Sequence, residues 1–419
     1  MVHLPEDFVR ETRRTMGDER FERYLKAFEE EPPVSIRLNP RKSLISDPSS
    51  NMEGSSGMSP IAEGWGGEPV PWCSNGYYLA RRPNFTMDPL LHAGCYYVQE
   101  ASSMFLEEVI RQYLEAENRK SKIRKCLDLC AAPGGKSTLL RSVLPEGSTL
   151  ISNEPIRNRY QVLVENVQKW GNSDHVVTNL YPRDFVKSKQ RFDLILCDVP
   201  CSGEGMFRKD AATIGEWSLR NVEKCQQLQR EIVCDAWKCL NESGLLIYST
   251  CTFNTKENEE NVRWIVDELG AEVLPVAIKP EWNITSSLLE GFIEPVYRFI
   301  PGITRGEGLF MCAMRKEGGG LKVEGGGRIP KGQNHFSFNP PPSTLHVNLS
   351  YPQAIAYLRG EALVLPEDTP RGLVTVAFMG YPLGQVKNIG CRANNLYPKA
   401  WRIKTTHIPQ DYEAILRHS

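Results

Sequence analysis

Between positions 125 and 269 the chain alternates short β-branched or leucine-rich runs with longer stretches whose apolar residues recur at helical spacing. Runs 125–130, 149–153, 175–178, 192–197 and 244–251 predict strands, and 136–144, 157–170, 219–240 and 256–269 predict helices. Strand followed by helix, repeated, demands crossovers between parallel strands, so the fold class is α/β with a doubly wound, Rossmann-like sheet. Such sheets bind ligands beyond the carboxyl ends of their strands. Two further apolar runs, 297–300 and 309–315, flank 302–308 and predict an antiparallel hairpin that closes the sheet.

The flanking regions follow other patterns. Phe21, Tyr24, Leu25 and Phe28 share one helical face, and that helix must stop before Pro32 and Pro33. The stretch 34–40 then alternates at strand period, with Ser35, Arg37 and Asn39 on one face. Residues 43–67 are rich in Ser, Gly, Pro and Met without periodicity and read as a flexible insertion. Glycine clusters at 318–320 and 325–327, with prolines at 340–342, read as a linker. Short strands such as 373–378 and turn signals at Gly380 and Gly384 follow. The organisation is therefore a small N-terminal α+β region (1–110), the sheet domain (111–316), a linker (317–342) and a β-rich C-terminal domain (343–419).

Charge narrows the partners. The 419 residues carry 50 Lys+Arg against 51 Asp+Glu, so a nucleic acid would have to be held by a local basic surface. One candidate exists: Lys387, Arg392, Lys399, Arg402 and Lys404, without an acid among them, interleave with Tyr397 and Trp401. That surface suits RNA, the plainer alternative being the solvated face of a β-domain. No apolar run approaches the ~18 residues of a membrane span, and the charged N-terminus lacks a signal core, which predicts a cytoplasmic protein with no membrane partner. The 12 cysteines contain no C-x-x-C pair, so no metal site is expected and each is by default a small buried hydrophobe.

Candidate chemistry gathers at the predicted strand ends. The run from Asp128 to Thr138 includes Cys130, Ala131, Ala132, Pro133, Gly134, Gly135 and Lys136. Its small residues let a ligand approach the backbone, and the following helix offers free N–H groups to an anion. It narrowly misses a phosphate-binding loop because Cys130 stands where the first glycine is required, which argues against a nucleotide triphosphatase. Glu154 ends the second strand, where an acid accepts hydrogen bonds from ribose hydroxyls. The fourth strand leads into Asp198-Val199-Pro200-Cys201 and the fifth into Thr250-Cys251. A single strand-end cysteine is commonly inert; Cys201 and Cys251 beside adjacent strand ends would face one cleft. Cys126, Cys130, Cys197, Cys225, Cys234 and Cys239 retain the core reading.

The segments 128–138, 198–210 (DVPCSGEGMFRKD) and 248–254 (YSTCTFN) resemble motifs of the RsmF/NSUN family of RNA cytosine carbon-5 methyltransferases. The VSIRLNP and YVQEASS segments resemble that family's N-terminal elements. The YPLG and NNLYPK segments resemble the C-terminal PUA-like RNA-binding domain of its bacterial RsmF branch. The resemblance implies S-adenosylmethionine as cofactor, held by 130–136, Glu154 and Asp198. It also implies Cys251 as nucleophile, Cys201 as the partner in product release, and Asp198 at the junction of cofactor and base. As partner it implies 16S ribosomal RNA or the small ribosomal subunit, and a monomer is expected. One departure stands out: Asn179-Leu180-Tyr181-Pro182 occupies the place of a family acid that contacts adenine, leaving Tyr181 or Asn179 to substitute.

The residues suit that chemistry independently. Carbon 5 of cytosine is a poor nucleophile until a thiolate adds to carbon 6, a task for cysteine at neutral pH. Asp198, protonated or sharing a proton with the base, would stabilise charge at ring nitrogen 3. Cys201 would assist departure of the carbon 5 proton. Competing readings are a transfer RNA substrate, a non-catalytic RNA-binding assembly factor, exchanged cysteine roles, and an amino-methylating enzyme, which would leave Cys251 without a task.

Overall fold

A computed structural model describes residues 3–42, 60–116, 123–172, 174–317, 346–405, 407–409 and 411–417. The linker 317–342, apart from Glu317, and most of the predicted insertion lie outside the described residues. Helices α1 (Glu6–Met16) and α2 (Asp18–Lys26) open the chain. Strands β1 (Val34–Leu38), β2 (Gly66–Pro69), β3 (Gly76–Leu79) and β4 (Tyr96–Val98) form an antiparallel sheet in the order β2-β3-β1-β4, with α3 (Pro89–His92) preceding β4. The pattern does not predict α1, because only Phe8, Thr12 and Met16 of a mainly charged helix are buried. The predicted face of α2 packs as expected, with Phe21 and Tyr24 in a core shared with Phe207, Trp217 and Phe253.

Two expectations change here. Residues 60–67 leave the predicted insertion: Ile61 bridges to Leu416, β2 begins at Gly66, and the buried Trp65 carries the Arg81 guanidinium over its ring at 3.7 Å. Two large apolar side chains in an otherwise polar stretch suffice to anchor it. The polar face of β1 does not meet water. Arg37, 1% exposed, donates to Gln99 Oε1 (2.8 Å) and Thr138 Oγ1 (2.6 Å), and Asn39 donates to the carbonyls of Gly94 and Trp170. Alternation marks a real two-faced strand whose polar side is an interface.

The chain continues through α4 (Leu106–Glu115), which crosses the 110/111 boundary read from sequence, into β5 (Lys125–Asp128), α5 (Gly135–Val143), β6 (Thr149–Asn153), α6 (Arg157–Trp170) and β7 (His175–Thr178). Next come α7 (Pro182–Lys187), β8 (Phe192–Asp198), α8 (Ala212–Glu216), α9 (Leu219–Cys239), β9 (Leu240–Thr250) and α10 (Glu259–Leu269). β10 (Ala271–Leu274), β11 (Tyr297–Phe299) and β12 (Leu309–Lys316) complete the unit. The order is β10-β12-β9-β8-β5-β6-β7, with β5 through β9 parallel and β12 antiparallel to both β9 and β10. The predicted hairpin is present as β11 and β12, and β10, too short to read from periodicity, pairs further along the same edge of β12, whose other edge holds β9.

The C-terminal unit contains β13 (His346–Asn348), α11 (Tyr351–Arg359), β14 (Gly372–Phe378), β15 (Tyr381–Asn388) and β16 (Ala393–Asn395). Met379 and Gly380, both at positive φ, close the β14–β15 hairpin. Its core is continuous with that of the N-terminal sheet: Ile36, Leu79, Phe85, Leu90 and Tyr96 belong to the same buried cluster as Ile355, Tyr357, Val376, Val386 and Tyr397. No described helix is long and apolar enough to cross a membrane, and the described residues contain no metal-ligating cluster.

Candidate active site

β8 and β9 are adjacent and parallel, so their carboxyl ends deliver Asp198 and Cys251 to one edge of the sheet, with Cys201 arriving on the loop after β8. The Cys201 and Cys251 sulfurs lie 3.2 Å apart, and the backbone N–H of Cys251 donates to Cys201 Sγ at 3.3 Å. All the described cysteines are free. The shared hydrogen bond splits the two thiols: it lowers the Cys251 pKa, with burial opposing and the Lys136 ammonium assisting, while the same bond, together with burial, pushes Cys201 well up. The split favours ionisation at Cys251 over Cys201.

Asp198 bridges this pair to the loop after β5. Its Oδ2 accepts from Lys136 Nζ at 2.8 Å and its Oδ1 from Ser249 Oγ at 2.6 Å. Burial would lower the Lys136 pKa, but the Asp198 charge and hydrogen bond outweigh it, so Lys136 stays an ammonium. Asp198 is therefore ion-paired with Lys136 beside the cysteines.

Residues 130–136 turn from β5 into α5, with Gly134 left-handed at φ 116°. A Cβ there would stand 3.3 Å from Leu163 and 3.4 Å from Asn166, so the loop lies directly on α6. Behind it Asp128 is fully buried; burial, only partly offset by the hydroxyl of Ser137, pushes its carboxyl up to about 7. Glu154, 1% exposed, accepts from Ile156 N–H through Oε1, whereas Oε2 has no hydrogen-bond partner and lies 3.5 Å from the exposed Arg159. Ile156 (48% exposed) and Tyr181 (53%) are open apolar side chains at the same strand ends. A buried carboxylate oxygen with no hydrogen bond fits a ligand that brings ribose hydroxyls. The Asn179 amide nitrogen donates to the carbonyls of Glu154 (2.6 Å) and Pro155 (2.9 Å), which holds this side chain against the end of β6.

The basic C-terminal run is brought to the surface only in part. Lys387, Arg392, Lys399 and Lys404 are exposed, while Arg402 is half-buried against Gly360. Tyr397 is buried, its hydroxyl 3.4 Å from His92 Nδ1, and Trp401 packs on it with the Lys169 ammonium over its ring. Tyr397 cannot stack on a base: it joins the C-terminal unit to α3. Sequence reasoning also passed over Ser249, Glu204, Asn254 and Glu257. A polar residue after a strand gives no periodic signal of burial.

The central fold is the one shared by S-adenosylmethionine-dependent methyltransferases. Residues 112–315 match the family described as 16S rRNA methyltransferase RsmB/F, 4–101 match the N-terminal domain of 16S rRNA methyltransferase RsmF, and 344–403 match the methyltransferase RsmF PUA domain. The chain is 31% identical over 338 residues to the ribosomal RNA small subunit methyltransferase F of Aliivibrio salmonicida, covering 79% of this chain and 68% of that one. With its Pectobacterium atrosepticum counterpart it shares 34% identity over 264 residues, covering 61% and 52%. The chain belongs to the RsmF family, although its match spans only about half to two thirds of the relatives' lengths. Among solved structures, a methyltransferase homologue from Pyrococcus horikoshii superposes with TM-score 0.59 at 24% identity, covering 75% of this chain and 96% of that one. NSun6 from Pyrococcus horikoshii, solved with SFG, gives 0.56 at 18%, covering 74% and 98%. At these identities the likeness is one of fold.

Proposed function

We propose that this protein methylates carbon 5 of a cytosine in RNA, 16S ribosomal RNA being the substrate its family membership favours. The observation that carries the reading is the Cys201–Cys251 pair, 3.2 Å apart at adjacent strand ends beside the Asp198–Lys136 ion pair. Residues 130–136, Glu154 and Asp198 are the cofactor-binding residues in this reading. When bound, S-adenosylmethionine supplies a methyl group on a sulfonium, which lacks a partner until carbon 5 becomes nucleophilic. Cys251, held as thiolate by the Cys201 hydrogen bond and the Lys136 charge, adds to carbon 6 and makes it so. Asp198, reaching the base edge while anchored by Lys136 and Ser249, shares a proton with ring nitrogen 3 as charge builds there.

Once the Cys251 sulfur is bonded to carbon, the hydrogen bond that raises Cys201 most strongly is gone, so the Cys201 thiol gives up its own proton to water more readily and stands ready as a thiolate base. The carbon 5 proton leaves to that base, its bonding pair forms the 5,6 double bond, and the carbon–sulfur pair returns to Cys251. The target base must be unstacked to enter, at a few kcal/mol in a duplex.

Incubating Cys251→Ala and Cys201→Ala proteins with rRNA and S-adenosylmethionine, then separating them by denaturing electrophoresis, tests the assignment. Cys251→Ala gives neither methylation nor adduct; Cys201→Ala gives an RNA-linked protein that does not release. A trapped complex from Cys251→Ala alone reverses the roles. Bisulfite sequencing of RNA from a deletion strain names the nucleotide.

A further inference from the structure

Two carboxylates lie almost fully buried beneath the cysteines, and neither has a part in the steps above. Glu204 follows Cys201 on the β8 loop, yet its Oε2 accepts the backbone N–H groups of Phe253 (2.6 Å) and Asn254 (3.0 Å), which follow Cys251. Glu257 lies on the far side of Cys251, yet its Oε2 accepts the backbone N–H of Ser202 (3.0 Å), next to Cys201, and the amide of Gln229 (2.7 Å). The Asn254 amide joins both, donating to Glu204 Oε1 (3.0 Å) and Glu257 Oε1 (2.7 Å). Trp217 Nε1 completes Glu204 at 2.8 Å, and the Ser202 and Thr252 hydroxyls meet at 2.8 Å between the loops.

We propose that Glu204 and Glu257 are positioning residues, a reciprocal clasp in which each cysteine loop's carboxylate grips the backbone of the other and so fixes the sulfur-to-sulfur hydrogen bond. The proposal rests on the reading of Cys251 as nucleophile. Neither loop has a strand ladder to hold it, and a carboxylate accepts several N–H groups at once. All the named neighbours of Glu257's oxygens are donors. Placing two buried acids around one amide is costly: burial first, then the Glu204 charge, pushes Glu257 up to about 7. That cost has a return in geometry, because the thiolate at Cys251 rests first on the Cys201 hydrogen bond, helped by Lys136, against burial and the charges of Asp198 and Glu257.

The test is the pH dependence of iodoacetamide labelling at Cys251, followed by peptide mass in the full-length protein without RNA, together with steady-state methylation. Glu257→Gln turns one acceptor oxygen into a donor facing donors, so one strut of the clasp opens. The labelling midpoint should rise by about one unit toward that of an ordinary thiol, which is ~tenfold slower labelling at pH 7. kcat should fall by a similar factor with KM for rRNA and for S-adenosylmethionine within twofold. Because Glu257→Gln also removes a charge that disfavours the thiolate, the charge-neutral Asn254→Ala is measured beside it, and an unchanged midpoint in Asn254→Ala overturns the clasp, whether kcat is unchanged or lowered, since a merely structural defect would not move the thiol. Should Glu257→Gln fail to fold, Glu204→Gln and the half-buried Asn254→Ala carry the same two measurements. Methylation at the wild-type rate by Cys251→Ala would instead remove the nucleophile reading and leave the labelling result standing.

Discussion

Replacing Glu154 by glutamine separates cofactor binding from folding. Its Oε1 already accepts the Ile156 N–H at 2.9 Å, a bond that the amide oxygen of glutamine keeps. The partnerless Oε2 becomes an NH2 group, which donates and cannot accept from a ribose hydroxyl. A hydrogen bond to a charged group contributes ~1.5–3 kcal/mol, so affinity for S-adenosylmethionine should fall ~10- to 150-fold. Stability should change little, because the interaction given up is a long ion pair, 3.5 Å, with the exposed Arg159, and the buried charge is replaced by a less costly neutral group. Titration calorimetry reads the affinity and scanning calorimetry the stability. At cofactor 100-fold above the wild-type Kd the wild type gains ~2.7 kcal/mol, and a variant binding tenfold more weakly gains ~1.4 kcal/mol at the same concentration. The cofactor-induced rise in Tm should therefore shrink by about half or more. An affinity within twofold of wild type, or an apo variant melting several degrees lower, would refute the assignment of that oxygen to the ribose.

Other outcomes follow from the same geometry. Asp128 has a folded pKa of about 7 against an ordinary 3.8, so the folded state holds its proton between those values and stability falls as pH rises through that window, by up to ~4 kcal/mol; denaturant melts of Asp128→Asn should show a flatter slope from pH 4 to 7 and the same slope above. Gly205→Ala puts a Cβ 2.9 Å from the Cys251 carbonyl and 3.1 Å from that of Gly308, backbone that cannot yield cheaply, so kcat should drop at least ~tenfold, read by methyl incorporation into rRNA. Arg298→Met leaves Glu259 buried without its guanidinium and should cost ~3–5 kcal/mol in a denaturant titration. Exchanging Lys387, Arg392, Lys399 and Lys404 for alanine should lower the salt slope of RNA binding by ~0.7–0.9 for each phosphate no longer neutralised; an unchanged slope makes that run a solvated face. Deleting the C-terminal unit is the poorer test, because it would expose the core shared with β1 and β3.

The amino-acid pattern by itself determined the α/β class, the five parallel strands and the strand ends where chemistry collects. Those rest on local periodicity and on crossover handedness, both written in consecutive residues. Cys201 and Cys251 were legible because each follows its strand directly, and adjacency of the strands brings them together. What the pattern left open depends on interactions between residues far apart in sequence. Period-two alternation put Ser35, Arg37 and Asn39 on one face of β1, and only the fold sets Thr138 and Trp170 against it. Tyr397 read as a stacking platform until its ring was found buried beside Tyr357, with its hydroxyl near His92. Glu204 and Glu257 carry no periodic signal, yet each is bound to the other cysteine's loop. Only the tertiary structure decided these, for burial converts a polar side chain from a solvated group into one that must find a partner, and sequence does not say who that partner is.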